Sequence, residues 1–559
     1  MIVRAACLFL DFTVLLLGLV VLGVIVSGGG VFEWRGTVIS MRTVANPLSI
    51  LLALVLLRVP SIRSVPVLLR FPGEDLEQRA LHGARRLSAA LSDLTHAKAA
   101  RWTMIAIAVA TLVKAANAWF YPGFFSGDDV EIHEMTFQQL FRTDWDVWNL
   151  RSPFYPMTFI YPVQALLVSL GVTDTDPLIV AGRFAVVLVS SLAIWLTYRA
   201  GSMLEGPAVG VLAAGTLATH RLHMTFGGSE LPRPVSSVFV MVGYLLIHGD
   251  RGSWIMPVAA GAAFGIAACC RFSESIFLVP ALAVLTTEGR FRHAFLVAAS
   301  AVCTTLAILG IGDALFWGRP YYSLFNIVQY TLVDRLSSRG YEPIYYYLTA
   351  LPQWTALPIA IFALVGLRFG SWKVGLWWIV PIALLSLLPH KEPRYLIPIL
   401  PFVAVSAAQG LMHLLTRLKS GDGVLSLRPE LTAMLLAVAC AYTGLLEVGG
   451  WRFRKSVDGI VVARSIAQSG CNGAVTAEQQ WRLGGRLYLR RCAHVRDLDP
   501  SATTPDRLRI IIDSDVEWLV LDRTTAGAIE KPVVDLGFNR QPVPGQQSYV
   551  VFRRPRSAP

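Results

Sequence analysis

Two short polar clusters hold the residue types in this chain that could do chemistry. The first, "GDDVEIHE" at 127–134, packs Asp128, Asp129, Glu131, His133 and Glu134 together just beyond an apolar run. An acidic group at such a boundary can take a proton from a hydroxyl and turn it into a nucleophile. Asp128 lies nearest the apolar run and is the candidate base; Asp129 would position a hydroxyl or sustain the field. A helix over 130–141 would put Val130, Glu134 and Phe137 on one face, with nearby Trp and Phe side chains anchoring the segment at a lipid interface. His133 reads as a hydrogen-bonded structural or substrate-orienting group. The Asp/Glu/His mixture offers donors for a divalent cation, but such mixtures are common in loops, and no metal is assigned. Arg151, Ser152, Tyr155 and Pro156 close this loop, and Arg151 could bridge a carboxylate or phosphate. The second cluster, "LLPHKEPRYLIPILPF" at 387–402, places His390, Lys391, Glu392 and Arg394 between apolar stretches. Four polar side chains there are costly unless hydrated, paired or turned into a cavity. Lys391 and Arg394 could neutralise a phosphate, His390 could hydrogen-bond to it, and Glu392 could orient a cation. Solvated or interfacial turns are the bland alternatives for both clusters. A weaker set comprises His220, Arg221, His223, Glu230 and Arg233, and an aromatic stretch over 313–352 contains Arg319 and could form an amphipathic lid.

The elements that must position these groups are membrane segments. The chain is 54% hydrophobic and 15% charged over 559 residues, with mean hydropathy +0.54, whereas a soluble protein carries about 25% charged residues. Fourteen apolar runs are candidates for helices that cross a bilayer, from residues 5–28 to 430–448. Crossing takes about 20 residues, and several runs are shorter. The first is read as a retained anchor, because it is long, contains Asp11 and lacks a small-x-small cleavage site. Positive residues in the stretch 70–101 and around Arg417, Lys419 and Arg428 mark the cytoplasmic side. This places the loop after residue 120, the 390–394 cluster and the tail together on the other side. Fourteen crossings would break that agreement, so one run is expected not to cross. The best candidates are 157–172, flanked by Pro156 and interrupted by Pro162, and 274–287, close to Arg271 and Glu274.

The tail of about 110 residues has compact apolar runs, as in "LRIIIDSDVEWLVLD", and reads as a small α/β domain. Cys471 and Cys492 stand in it; a disulfide between them requires an oxidising compartment, and two free thiols are the alternative. The net charge of +12 is spread among membrane-flanking loops and the tail, which fits orientation in the bilayer and contact with membrane lipids rather than nucleic acid. Neither a Walker A sequence nor a dinucleotide fingerprint is present.

Taken together, "GDDVEIHE", "LRSPFYP" and above all "HKEPRY" resemble a bacterial member of the Alg9/PIG-B-like mannosyltransferase family, within the GT-C superfamily. Asp128 takes the family's first-loop acidic position, with Asp129 where a glutamate is more usual. His390, Lys391, Glu392 and Arg394 match its HKE-x-R pattern, and Tyr395 replaces its common phenylalanine. Glu134 approximates a downstream glutamate, offset by one position, and the intervening aromatic-Gln pair is absent. The resemblance implies an all-α polytopic membrane protein of GT-C type. It would have about 13 spanning helices and a small C-terminal soluble α/β domain: N-terminal membrane segments in 1–70, a cytoplasmic linker in 71–101, a catalytic domain in 102–449 with external loops 121–156 and 313–352, and an external domain in 450–559. The implied activity is inverting transfer of a mannosyl-like sugar from a polyprenyl-phosphate donor to an external lipid-linked saccharide or glycan, at the outer face of a bacterial inner membrane. Asp128 and Asp129 would be catalytic; Glu134, Arg151, Tyr155, Arg319, His390, Lys391, Glu392 and Arg394 would bind substrate. No cofactor or metal is implied, since the sugar donor is a substrate. An arabinosyl, aminoarabinosyl or glucosyl transferase is the same-class alternative. A transporter or lipid flippase, with the charges lining an alternating cavity, is the different-class one.

Overall fold

The computed structural model describes residues 94–420 and 457–554, less 121, 144, 146, 148, 250–252, 335–339, 499–503 and 513–514, together with 12–13, 16–17, 30–34 and 37–41. The apolar runs near 46–66 and 430–448, nearly all of 5–28 and the linker up to residue 93 lie outside these residues. A short antiparallel hairpin joins β1 (Gly30–Trp34) to β2 (Thr37–Met41).

The helical part begins with α1 (His96–Phe120), α2 (Gly127–Phe141), α3 (Tyr161–Ser169, entered through a π turn at Pro156–Ile160), α4 (Thr175–Glu205) and α5 (Pro207–Ala218). Next come α6 (Arg221–Phe226), α7 (Arg233–Ile247), α8 (Ile255–Cys270), α9 (Leu278–Thr287), α10 (Phe291–Trp317) and α11 (Tyr322–Val328). Two single turns, α12 (Tyr346–Thr349) and α13 (Leu351–Trp354), precede α14 (Leu357–Phe369), α15 (Trp372–Ser386) and α16 (Leu400–Ser420). Among the described residues, four helical stretches are long and apolar enough to cross a membrane: His96–Phe120, Thr175–Glu205, Phe291–Trp317 and Pro393–His413. Seven more are apolar but only 10–17 residues long. That corrects the expectation of about 13 full spans. At 1.5 Å per residue such helices reach roughly 15–25 Å, short of about 30 Å of hydrocarbon. A 3₁₀ turn shortens one of them, at Phe272–Phe277 before α9.

Small residues let these helices pack closely. A Cβ at Gly366 would lie 1.8 Å from the Ser406 carbonyl, and one at Gly410 2.0 Å from that of Phe362, so α14 and α16 touch backbone to backbone. The helix ends form two faces. On one, Lys373 and Arg290 pair with Glu288, and Gln409 donates to Glu205. The other carries the N-terminus of α2, the start of α7 and the 390–394 cluster. Both ends of α3 belong to this second face: Pro156 lines its cavity, while Thr173 and Thr175, just past the other end, bond to the C-terminal domain. Thus both ends of 157–172 open on one face of the molecule.

The C-terminal domain holds α17 (Val457–Gln468), α18 (Thr504–Ile512) and α19 (Arg523–Asp535) with a five-stranded sheet, order β4-β3-β5-β7-β6. β3 (Ala474–Ala477) runs parallel to β4 (His494–Asp497) and β5 (Val516–Asp522). β7 (Tyr549–Arg553) is antiparallel to β5 and β6 (Asn539–Gln541). β3 is buried on both faces and β5 almost so, which suits strands read as continuous apolar runs. Cys471 and Cys492 precede neighbouring strands and form a disulfide, with Cα atoms 5.0 Å apart.

Candidate active site

The N-terminus of α2 is shaped by its own side chains. Ser126 is extended, and Asp129, three positions on, accepts hydrogen bonds from the backbone N–H of Ser126 at 2.9 Å and of Phe125 at 2.8 Å, the arrangement of a capping box. Asp129 is fully buried and does not line the cavity described below. Burial and the nearby Glu230 charge push its carboxyl up to about 7, against the pull of Arg394 and the Ser126 amide. Asp129 therefore folds the loop that presents its neighbour.

That neighbour, Asp128, lines the cavity and sits between two guanidinium groups. Its Oδ1 lies 2.6 Å from Arg151 Nη2 and its Oδ2 3.3 Å from Arg394 Nη2. Arg151 also binds Glu131 through Nε at 3.0 Å. Arg394 donates to Ser126 Oγ at 2.8 Å and pairs closely with Glu392, whose other oxygen is 3.2 Å from His390 Nε2. Burial pushes Glu392 up, but the His390 hydrogen bond and the Arg394 charge outweigh it and hold the carboxyl at about 2. The two polar clusters, about 260 residues apart in sequence, thus form one chain of ion pairs, and each arginine serves two carboxylates.

This chain borders a cavity of about 560 Å³. Part of its lining is polar: Asp128, Glu131, Arg151, Tyr155, Arg233, Arg271, His390 and Tyr395. Another part is apolar, from Leu324, Ile327 and Val328 on α11 and Leu384, Leu385 and Leu388 at the end of α15. Arg233 donates to Glu274 Oε1 and the Tyr395 carbonyl, both at 3.3 Å, and lies 4.1 Å over the Tyr395 ring. Arg271 follows the last turn of α8 in extended conformation, and its side chain makes no hydrogen bond or ion pair among the described residues. A cation set among Arg151 and Arg233, whose nearby carboxylates Asp128 and Glu274 are ion-paired to those two arginines, suits an anionic ligand. In the sequence, Arg271 and Glu274 mark only the edge of a short apolar run. The signal for a site was a charge pair inside "CCRFSES", a polar break between two apolar runs.

Other residues singled out from the sequence lie elsewhere. Lys391 Nζ donates to the carbonyls of Glu342 at 2.7 Å and Leu388 at 2.6 Å, tying the 340s loop to the 390 turn, and does not line the cavity. Glu134 turns away from the cavity and accepts from the Arg486 backbone N–H at 3.0 Å. Arg319 is exposed beyond α10 and also lies off the cavity wall. Tyr155 presents its ring to the cavity while its hydroxyl donates to the Glu230 carbonyl at 2.9 Å and that of Leu231 at 3.2 Å. His133 is buried between Gln164 and Glu230, and Glu230 pairs with Arg183, which also donates to the Gly123 carbonyl at 2.8 Å. This network braces the loop leading into α2. Among the described residues no group of three His, Cys, Asp or Glu side chains is arranged to hold a metal ion.

In overall fold the chain is similar to ArnT from Cupriavidus metallidurans, solved with undecaprenyl phosphate, with a TM-score of 0.55 and 15% identity over 81% of this chain and 97% of that one. It is also similar to the Archaeoglobus fulgidus oligosaccharyltransferase, with a TM-score of 0.52 and 13% identity over 81% and 74%. Among sequences, GPI mannosyltransferase 3 of Yarrowia lipolytica is 24% identical over 56% of this chain and 62% of its own length. The alpha-1,2-mannosyltransferase alg9 of Schizosaccharomyces pombe is 29% identical over 23% and 26%. The chain spans about three fifths or less of the length of these curated relatives. The model of the Alg9-like mannosyltransferase family matches residues 124–449, a stretch that contains Asp128, Arg151, Arg271 and the whole 390–394 cluster. This polytopic membrane protein belongs to the Alg9-like mannosyltransferase family.

Proposed function

We propose that the chain is a membrane glycosyltransferase that moves a sugar from a polyprenyl-phosphate donor to a lipid-linked saccharide or glycan. The observation that carries this is the meeting of Asp128 with Arg394 at a cavity that also holds the unpaired Arg271 and an apolar wall. A lipid phosphate needs both: cations for its head and hydrocarbon contact for its chain. In the reaction, an acceptor hydroxyl attacks the anomeric carbon from the side opposite the phosphate, forming the new C–O bond with inversion. The hydroxyl proton passes to Asp128. The old C–O bond breaks with its electron pair going to the phosphate oxygen, and Arg271, with Arg233 or Arg151, stabilises the charge that develops there. Arg394, held by Glu392, orients the Asp128 carboxylate. No covalent glycosyl-enzyme is required.

The reaction face is proposed to lie outside the cytoplasmic membrane of a bacterium, where a lipid-phosphate donor can present its sugar and nucleotide sugars are scarce. The fold likeness to an ArnT structure solved with undecaprenyl phosphate supports a polyprenyl-phosphate donor, and the departures from the family pattern at Asp129 and Tyr395 keep arabinosyl, aminoarabinosyl and glucosyl donors beside a mannosyl one. The test is purified protein in lipid nanodiscs with labelled polyprenyl-phosphate mannose, glucose, arabinose and aminoarabinose and a lipid-linked acceptor. Covalent product from one donor, lost in Asp128→Asn, supports the reading. Movement of labelled lipid across a vesicle membrane without product would establish transport instead.

A further inference from the structure

Helix α2 has two occupied faces. Asp128, Glu131 and Ile132 look into the cavity. On the opposite side, Val130 and Phe137 share a buried cluster with Ile460 and Leu487 of the C-terminal domain. Glu134 stands on this second face. Its Oε1 accepts from the Arg486 backbone N–H at 3.0 Å, at a turn built from Gly484 and Gly485 with φ +76° and +53°. A Cβ on Gly485 would come within 2.6 Å of Glu134 Oε1 and 2.8 Å of Val130 Cγ1, so the turn closes on α2 only with glycine there. The same segment grips the helix at both ends. Trp481 packs against Gly127, and the Arg490 guanidinium lies 4.1 Å over the Phe141 ring while donating to the Thr173 carbonyl at 2.9 Å.

We infer that the C-terminal domain sets the position of the helix carrying Asp128, with Glu134 as the positioning residue that locks α2 to the Gly485–Arg486 turn. A helix is stiff over this distance: six residues separate Glu134 from Asp128, about 9 Å at 1.5 Å per residue. Displacement at Glu134 is therefore passed to the carboxylate poised between Arg151 and Arg394. Glutamine at 134 keeps an acceptor oxygen for the Arg486 amide; alanine does not. The kinetic arm of the test rests on the proposed glycosyl transfer, and the exchange arm does not.

The experiment compares the full chain with Glu134→Ala, Glu134→Gln and Gly485→Val in nanodiscs. In hydrogen exchange, the amides of residues 127–134 exchange faster in Glu134→Ala and Gly485→Val and at the native rate in Glu134→Gln. In turnover, kcat of Glu134→Ala falls by about 100-fold, the cost of an ångström-scale misplacement, with little change in donor KM, and Glu134→Gln recovers it. Native exchange in Glu134→Ala, an effect on KM alone, or equal losses in the alanine and glutamine variants overturns the inference. If the native protein turns over no donor, the proposed function falls and the exchange result still decides the positioning role.

Discussion

Replacing Asp128 by asparagine removes a base while leaving most of its scaffold in place, so activity and stability should part company. The amide oxygen can still accept from Arg151, 2.6 Å from Oδ1 in the native protein. Neither arginine is stranded by the lost charge, because Arg151 keeps Glu131 and Arg394 keeps Glu392. The cost of stranding a buried charge, about 3–5 kcal/mol, is thereby avoided, and the expected stability loss is about 1 kcal/mol, the worth of an ordinary hydrogen bond. Loss of general-base catalysis lowers a rate by about 10²–10⁴-fold, or roughly 3–5 kcal/mol of barrier. The assay is transfer of labelled sugar from a polyprenyl-phosphate donor by protein in nanodiscs, paired with the thermal midpoint of the same preparation. A folded Asp128→Asn protein with native turnover refutes the role given to Asp128. A large fall in midpoint would instead show that the ion-pair chain depends on this one carboxylate.

Arg271→Ala should raise donor KM by about 10–100-fold, the worth of charge-assisted hydrogen bonds to a phosphate, with an unchanged thermal midpoint; steady-state kinetics against donor concentration check it. Lys391→Met strips the carbonyls of Glu342 and Leu388 of a shared donor, so its midpoint should fall, and unchanged stability with raised KM would assign Lys391 to the donor instead. Reducing the Cys471–Cys492 disulfide, which spans 21 residues of sequence, should cost the C-terminal domain about 3 kcal/mol, read by chemical denaturation with and without reductant. Asp129 and Glu134 are both pushed up to about 7, from ordinary values of 3.8 and 4.5, by burial first. The folded protein therefore binds more protons than the unfolded chain between about pH 4 and 7, and stability falls as pH rises through that window. Asp129→Asn should flatten that slope in midpoints measured from pH 5 to 7.5.

What could be read from the sequence was where polarity breaks an apolar run, and what could not be read was which way each side chain points. The clusters at 127–134 and 387–402 announce themselves because carboxylates and cations beside hydrocarbon need a reason. Charge bias then brings them to one side, and Pro156 and Pro162 mark the helix whose two ends open on one face. Within a cluster, direction is set by helix phase and by contacts hundreds of residues away. Asp128 and Asp129 are adjacent and chemically alike, yet one faces the cavity and the other caps its own helix. Lys391 has the charge to meet a phosphate, but two backbone carbonyls fix it first. Glu134 is the most instructive case. Its shared face with Val130 and Phe137 follows from a 3.6-residue period, but an apolar helix face reads the same whether it meets lipid or protein. Only the Gly484–Gly485 turn, with its left-handed backbone and lack of side chains, distinguishes the two, and nothing in the local sequence of α2 points to a partner 350 residues further on. The face shared by Val130 and Phe137 is covered by the C-terminal domain, which is why that domain belongs to any account of how Asp128 is held.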